Sequence, residues 1–184
     1  MKKLLIASDI HGSAFYMEKL MDRIEAESPD RILLLGDLLY HGPRNDLPED
    51  YAPKKVIPLL NSLKDHLICV RGNCDTEVDQ MVLDFPIMAD SAFLLLNDQV
   101  VYATHGHHAG EADPPLLAKG SVLLCGHTHV PAWNDHGDFL YLNPGSVAIP
   151  KNDSCPSYML WENDAPGAGF TWKHVVTGSP YHSV

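Results

Sequence analysis

The stretch LLIASDIHG, Leu4 to Gly12, sets an apolar run directly against an aspartate, a histidine and a glycine. Four apolar residues bounded by polar ones have the length and character of a buried strand. A strand ending in D-x-H puts two metal-ligand types where α/β proteins bind their ligands, at the carboxyl ends of strands. Residues two apart on an extended segment point the same way, so Asp9 and His11 are expected to share an ion. One D-x-H carries little weight. The fold and the chemistry depend on whether other strands end in the same way.

Four more do. Ile32 to Leu35 precedes Gly36-Asp37, and Leu67 to Val70 precedes Gly72-Asn73-Cys74-Asp75. Val100 to Thr104 precedes His105-Gly106-His107, and Val122 to Cys125 precedes Gly126-His127-Thr128-His129. After the first run, Ser13 can cap a helix patterned on Phe15, Met17, Leu20, Met21 and Ile24, with Pro29 as its stop. Pro53 to Leu63 reads as a second helix, kinked or delayed by Pro58. Strand, helix, strand, helix, strand implies a right-handed, mostly parallel layer. Gly36 to Pro53 is a long loop of the kind that carries function.

The second half is richer in strands. Ala92 to Leu96 and Val100 to Thr104 flank Asn97-Asp98-Gln99 as a hairpin. Pro114 to Ala118 is expected to form a short helix at most. Strands are expected at Val122 to Cys125, Asp138 to Leu142, Ser157 to Glu162 and Thr171 to Val176. Two sheets face to face with helices outside is the simplest arrangement, as one domain over residues 1–184.

Composition narrows the function classes. The 184 residues are 45% hydrophobic, enough for a sizeable core. A formal net charge of −11 repels a phosphate backbone, so bulk nucleic-acid binding is not expected. A small anion remains compatible if cations line its pocket. Histidines number 11, against 13 lysines and arginines together, which favours metal binding. Cys69, Cys74, Cys125 and Cys155 form no C-x-x-C pair, so a zinc knuckle is not expected. The short apolar run at the N-terminus ends at an aspartate, unlike a signal peptide, and no 18-residue apolar run suggests a membrane span. A cytoplasmic protein with reduced thiols is expected.

The ordered blocks D-x-H, G-D, G-N-x-D, H-G and G-H-T-H resemble the calcineurin-like metallophosphoesterases. With LLLGDLLYHGPRN, VRGNCDTEVDQM and NPGSVAIPK, the chain looks like the small bacterial phosphodiesterases of the YfcE type, from Leu4 to about Tyr158. The resemblance implies a four-layer α/β/β/α sandwich of two mixed sheets flanked by helices, with a dinuclear metal centre. It puts Asp9, His11 and His129 on one ion, Asn73, His105 and His127 on the other, and Asp37 between them. Nitrogen and oxygen donors suit manganese, iron, zinc or nickel, and the resemblance favours manganese. Most of the family has histidine where this chain has Cys74. A thiol is a poor general acid near neutral pH, so Cys74 either acts weakly or fills space.

The expected function is phosphodiester hydrolysis of a small substrate. Two ions acidify a bridging water, and the hydroxide attacks phosphorus. Asn73 both ligates and touches a phosphate oxygen. Arg44 is the candidate for a further phosphate contact and His107 a weaker pocket residue. Asn143-Pro144-Gly145-Ser146 is expected to form a turn that supports the metal loops. His66, His136, His174 and His182 are expected at the surface. A phosphomonoesterase or protein phosphatase is the alternative, although protein phosphatases carry Arg-Gly after the G-D block and this chain has Leu-Leu-Tyr-His. A binding scaffold, like one subunit of the retromer coat, is a third reading, but its ligands would be eroded. A homo-oligomer stays open, since Trp133, Trp161 and Trp172 serve an interface as readily as a core.

Overall fold

In a computed structural model that describes residues 1–165 and 169–184, the chain forms eleven strands and three short α-helices. They follow in the order β1 (Lys3–Ala7), α1 (Ala14–Glu27), β2 (Arg31–Leu34), α2 (Pro53–Ser62), β3 (Leu67–Cys69) and α3 (Glu77–Gln80). Then come β4 (Ser91–Leu96), β5 (Gln99–Thr104), β6 (Ser121–Leu124), β7 (Pro131–Asp135), β8 (Phe139–Pro144), β9 (Ser157–Glu162), β10 (Phe170–His174) and β11 (Pro180–Ser183).

Two mixed sheets face each other, with strand orders β11-β10-β9-β1-β2-β3 and β4-β5-β6-β8-β7. The first has the parallel trio β1, β2 and β3 beside antiparallel β9. The second is parallel through β5, β6 and β8, with antiparallel edges. The uninterrupted apolar run of β1 follows from burial on both faces. Leu4 and Ile6 point to the second sheet and join Val101, Val122, Leu142 and Trp172. Leu5 and Ala7 point the other way and meet Met17 and Leu20 of α1 and Val56 and Leu60 of α2. Each such leucine, fully buried, stabilises the fold by about 1.5–3 kcal/mol.

Helix α1 starts where the Ser13 side chain accepts the Tyr16 N–H at 3.3 Å and ends at Ser28 in the left-handed conformation. Helix α2 starts at Pro53, not late, and carries Pro58 within it on an exposed face. The helices are few, and the outer face of the second sheet has only a small cluster of Leu123, Cys125 and Tyr141, with Leu117 packed on it. No helix forms over 114–118. Pro115 disfavours the helical conformation at Pro114, and the few residues left are too short a segment to offset the cost of a first turn. Trp161 and Trp172 are core residues, and Trp133 is 40% exposed. Among the described residues no helix is long and apolar enough to cross a membrane.

Candidate metal centre

The ends of β1 and β2 are stitched into one platform. Asp9 N–H donates to Gly36 O at 3.1 Å, His11 N–H to Asp37 O at 2.9 Å and Gly12 N–H to Leu38 O at 2.9 Å. The ligand residues on these turns are not extended. Asp9 and His11 have φ of 59° and 48°, Asp37 has 56°, and His127 and His129 have 66° and 62°. This corrects the extended-segment reading of D-x-H and H-x-H. The side chains converge because successive left-handed turns swing them inward. Such a conformation costs a non-glycine residue roughly 1–2 kcal/mol. Five of them at the ends of three strands mark a site that the surrounding fold holds under strain. Gly72 permits a close approach, since a Cβ there would overlap Asp37 Oδ1 and lie 2.9 Å from its Cγ.

Hydrogen bonds settle which ring nitrogens face inward. The Nδ1 atoms of His11, His129 and His105 donate to Tyr40 O at 2.7 Å, Ile149 O at 2.6 Å and Leu35 O at 2.6 Å. Each neutral ring therefore turns a bare Nε2 lone pair into the site. These lone pairs meet other acceptors. His11 Nε2 and His129 Nε2 are 3.3 Å apart and lie 3.5 and 3.2 Å from Asp9 Oδ1. His105 Nε2 lies 3.1 Å from Asn73 Oδ1 and 3.4 Å from Asp37 Oδ2. Asp37 Oδ2 also lies 3.6 Å from His11 Nε2, which joins the two groups. Asp9 Oδ1 is buried without a hydrogen-bond partner. Acceptors packed against acceptors repel one another unless cations lie between them, and a buried orphan oxygen has the same requirement. The residues present therefore fit divalent ions.

Without ions, protons take part of that load. Burial alone would raise the Asp9 carboxyl, but His11 and His129 override it and hold it well below the usual range. Burial likewise works against the charged form of His105, yet Asp37 and Asp9 raise its imidazole to about 9. Burial lowers His127, whose ring centroid is 5.1 Å from that of His105. The Cys74 thiol is pushed up to about 12, first by burial and then by Asp37.

A cavity of about 710 Å³ opens over this cluster, lined among others by Asp37, Tyr40, Arg44, Asn73, Cys74 and Lys151. His127 and His129 line it as well. His107 does not. It lines a neighbouring cavity with His108, Glu111 and His136, and packs at a tilt against His108 with centroids 4.0 Å apart. Its ring nonetheless stays near the cluster, with its centroid 5.4 Å from that of His105 and 6.2 Å from that of His127. His66 and His136 are exposed, whereas His182 is half-buried and stacked on Trp133 at 3.6 Å between centroids.

Four residues with clear roles were not singled out from the sequence or were only partly read. The buried Asp75 carboxylate accepts the N–H groups of Asp37 at 2.8 Å, Leu38 at 2.9 Å and Gly72 at 2.7 Å. It is the last residue of the G-N-x-D block, and that was its one signal. Asn143 lies at the end of β8 and is not part of a free turn. Its Nδ2 donates to Gly126 O at 2.7 Å and Thr128 Oγ1 at 3.1 Å. Ser146 Oγ donates to Asp9 O at 2.8 Å and accepts Ile149 N–H at 2.8 Å, so it ties the Asp9 turn to the carbonyl that orients His129. Lys151 N–H donates to His129 O at 3.2 Å, which carries its side chain to the cavity rim.

The sequence model of the calcineurin-like phosphoesterase superfamily domain matches residues 1–165. The chain belongs to that superfamily. It is 47% identical over 164 residues to the phosphodiesterase YfcE of Escherichia coli strain K12, covering 89% of each protein. It is 27% identical to the probable metallophosphoesterase YsnB of Bacillus subtilis strain 168, covering 91% of this chain and 89% of that one. The solved structure of the E. coli phosphoesterase Yfce superposes with a TM-score of 0.93 at 43% identity, over 99% of this chain and 98% of that one. The two facing mixed sheets are the metallophosphoesterase fold, and the groups Asp9-His11-His129 and Asp9-Asp37-His105 at their strand ends could hold the divalent ions that the family implies.

Proposed function

We propose that this metallophosphoesterase hydrolyses phosphodiesters of small molecules with two divalent ions. Asp9, His11 and His129 hold one, Asn73, His105 and His127 hold the other, and Asp37 bridges them. The observation that carries this reading is the facing set of lone pairs, with Nε2 of His11, His129 and His105 aimed at one another or at Asp9, Asp37 and Asn73 within 3.1–3.6 Å. When bound, such ions supply charge neutralisation at phosphorus and acidify the attacking water.

The chain's own residues do the rest. The carbonyls of Tyr40, Ile149 and Leu35 lock the imidazoles in the tautomer that ligation requires. The exposed amide of Asn73 is in position to contact an oxygen of the scissile phosphate, and the guanidinium of Arg44 lines the same cavity, where it can meet a phosphate group of the substrate. Cys74 stands at the family's general-acid position, where burial and then Asp37 push its thiol up to about 12 before ions are bound, and a thiol is a poorer proton donor than an imidazole. The leaving oxygen then takes its proton from solvent, which favours acidic leaving groups. Nitrogen and oxygen donors with four imidazoles favour manganese, with iron, zinc or nickel as alternatives. Four free cysteines fit the reducing cytoplasm. Residues 1–184 act as one domain.

The test is hydrolysis of bis(4-nitrophenyl) phosphate after chelation and dialysis. The chelated protein should be inactive, and manganese should restore turnover better than magnesium. Full activity in excess chelator, with no metal by elemental analysis, would contradict the proposal.

A further inference from the structure

The proposed reaction leaves two cations without an anion to meet. Arg44 and Lys151 are both exposed, both line the cavity over the metal cluster, and neither makes an ion pair among the described residues. Asp37 is the one carboxylate in that lining. The charges at the metal cluster already balance without them. Two divalent ions exceed the carboxylates of Asp9 and Asp37 by two positive charges, and the nucleophile and the diester bring one negative charge each.

The two cations come from segments pinned to the same pair of imidazoles. The Tyr40 carbonyl holds His11 Nδ1–H at 2.7 Å, and the chain continues through a turn to Arg44, closed by Asn45 Nδ2 on His41 O at 2.8 Å. The Ile149 carbonyl holds His129 Nδ1–H at 2.6 Å, and Lys151 N–H returns to His129 O at 3.2 Å. The imidazoles that anchor the two segments meet, with His11 Nε2 and His129 Nε2 3.3 Å apart, and Arg44 and Lys151 line one cavity over them. Tyr40, 41% exposed, and Pro43 give that end of the cavity an apolar wall. The volume of about 710 Å³ is that of a whole small-molecule site and not of a bare phosphate group.

We infer that the cavity takes a phosphodiester in which one ester arm carries a second phosphate, a dianionic monoester held between Arg44 and Lys151. The guanidinium fork matches two phosphate oxygens, and the ammonium supplies a point charge opposite. This deepens the phosphodiesterase reading and rests on it.

The test compares two substrates on the manganese-loaded protein. Both are 4-nitrophenyl esters of thymidine 5′-phosphate, one with a free 3′-hydroxyl and one with a 3′-phosphate. The diester and the leaving group are the same. The 3′-phosphate should raise kcat/KM about tenfold, and the advantage should shrink with added salt. The ratio should fall to about one in Lys151→Gln and below one in Lys151→Glu. Calorimetric titration with thymidine 3′,5′-bisphosphate against thymidine 5′-phosphate should give the same ranking without turnover. Equal kcat/KM for the two substrates in the unmodified protein, or an advantage that survives in both Lys151 variants, overturns the inference and leaves the phosphodiesterase reading standing. Turnover of neither substrate overturns that reading, and the inference with it.

Discussion

Asp75→Asn changes one atom of a side chain that touches no ion, yet it should weaken both the fold and metal binding. The carboxylate is 1% exposed and accepts three backbone N–H groups, those of Asp37 and Gly72 on Oδ2 and that of Leu38 on Oδ1. In the variant the amide oxygen can keep the first pair. The amide nitrogen then faces the Leu38 N–H, donor against donor. Losing one buried bond and orphaning both ends costs about 1–3 kcal/mol. Burial, and then the charge of Asp37, raise the Asp75 carboxyl, so a neutral amide recovers part of this. A net loss of roughly 1–2 kcal/mol lowers Tm by about 2–8 °C for a domain of this size. Asp75→Ala orphans three N–H groups and should cost at least twice as much. The Asp37 turn loosens in both, and disturbed support of a ligand weakens metal affinity about 10–100-fold. Thermal melts in chelator and manganese calorimetry measure the two effects separately. An Asp75→Asn protein that melts and binds manganese like the parent would refute the reasoning.

Asp37→Asn removes the charge shared by both groups of ligands, so elemental analysis should find both ions depleted and turnover at least tenfold lower; normal content and turnover would remove Asp37 from the bridge. Manganese needs the neutral imidazole of His105, which without ions holds its proton up to about 9. Affinity should therefore rise with pH and level off near that value, and a Kd that is flat between pH 6 and 9 would count against this ligand. Cys74→Ser should leave kcat/KM for nitrophenyl diesters within about threefold, because an acidic leaving group needs little protonation and a thiol or hydroxyl is a poor proton donor near neutral pH. A large loss at unchanged metal content would make the thiol catalytic.

Much of this could be read in advance, for physical reasons that differ by element. Strands β1, β2 and β6 are buried at nearly every position, and burial on both faces forces the apolar runs that marked them, as in Leu4 to Ala7. Edge strands carry no such requirement. Strand β7 reads PAWND with mostly exposed positions, and β11 reads PYHS, so neither shows the alternation or apolar run that identifies a strand. Helix α3 is four residues long, and its one signal was the Thr76–Asp79 capping box. The residues proposed as ligands stood out because histidine, aspartate and asparagine after a strand are chemically conspicuous. Their backbone did not, since the left-handed turns depend on contacts between the Asp9 and Asp37 loops that are distant in sequence. Lys151 carried no local signal, and its position follows from a backbone bond to His129.

The central claim is that two ions share Asp37 at the strand ends. Electron paramagnetic resonance of the protein loaded with manganese tests it most directly. Two Mn(II) ions bridged by one carboxylate couple magnetically, so titration should end at two equivalents per chain with a spin-coupled spectrum that Asp37→Asn abolishes. A single uncoupled six-line signal that saturates at one equivalent, with full phosphodiesterase activity, would contradict it.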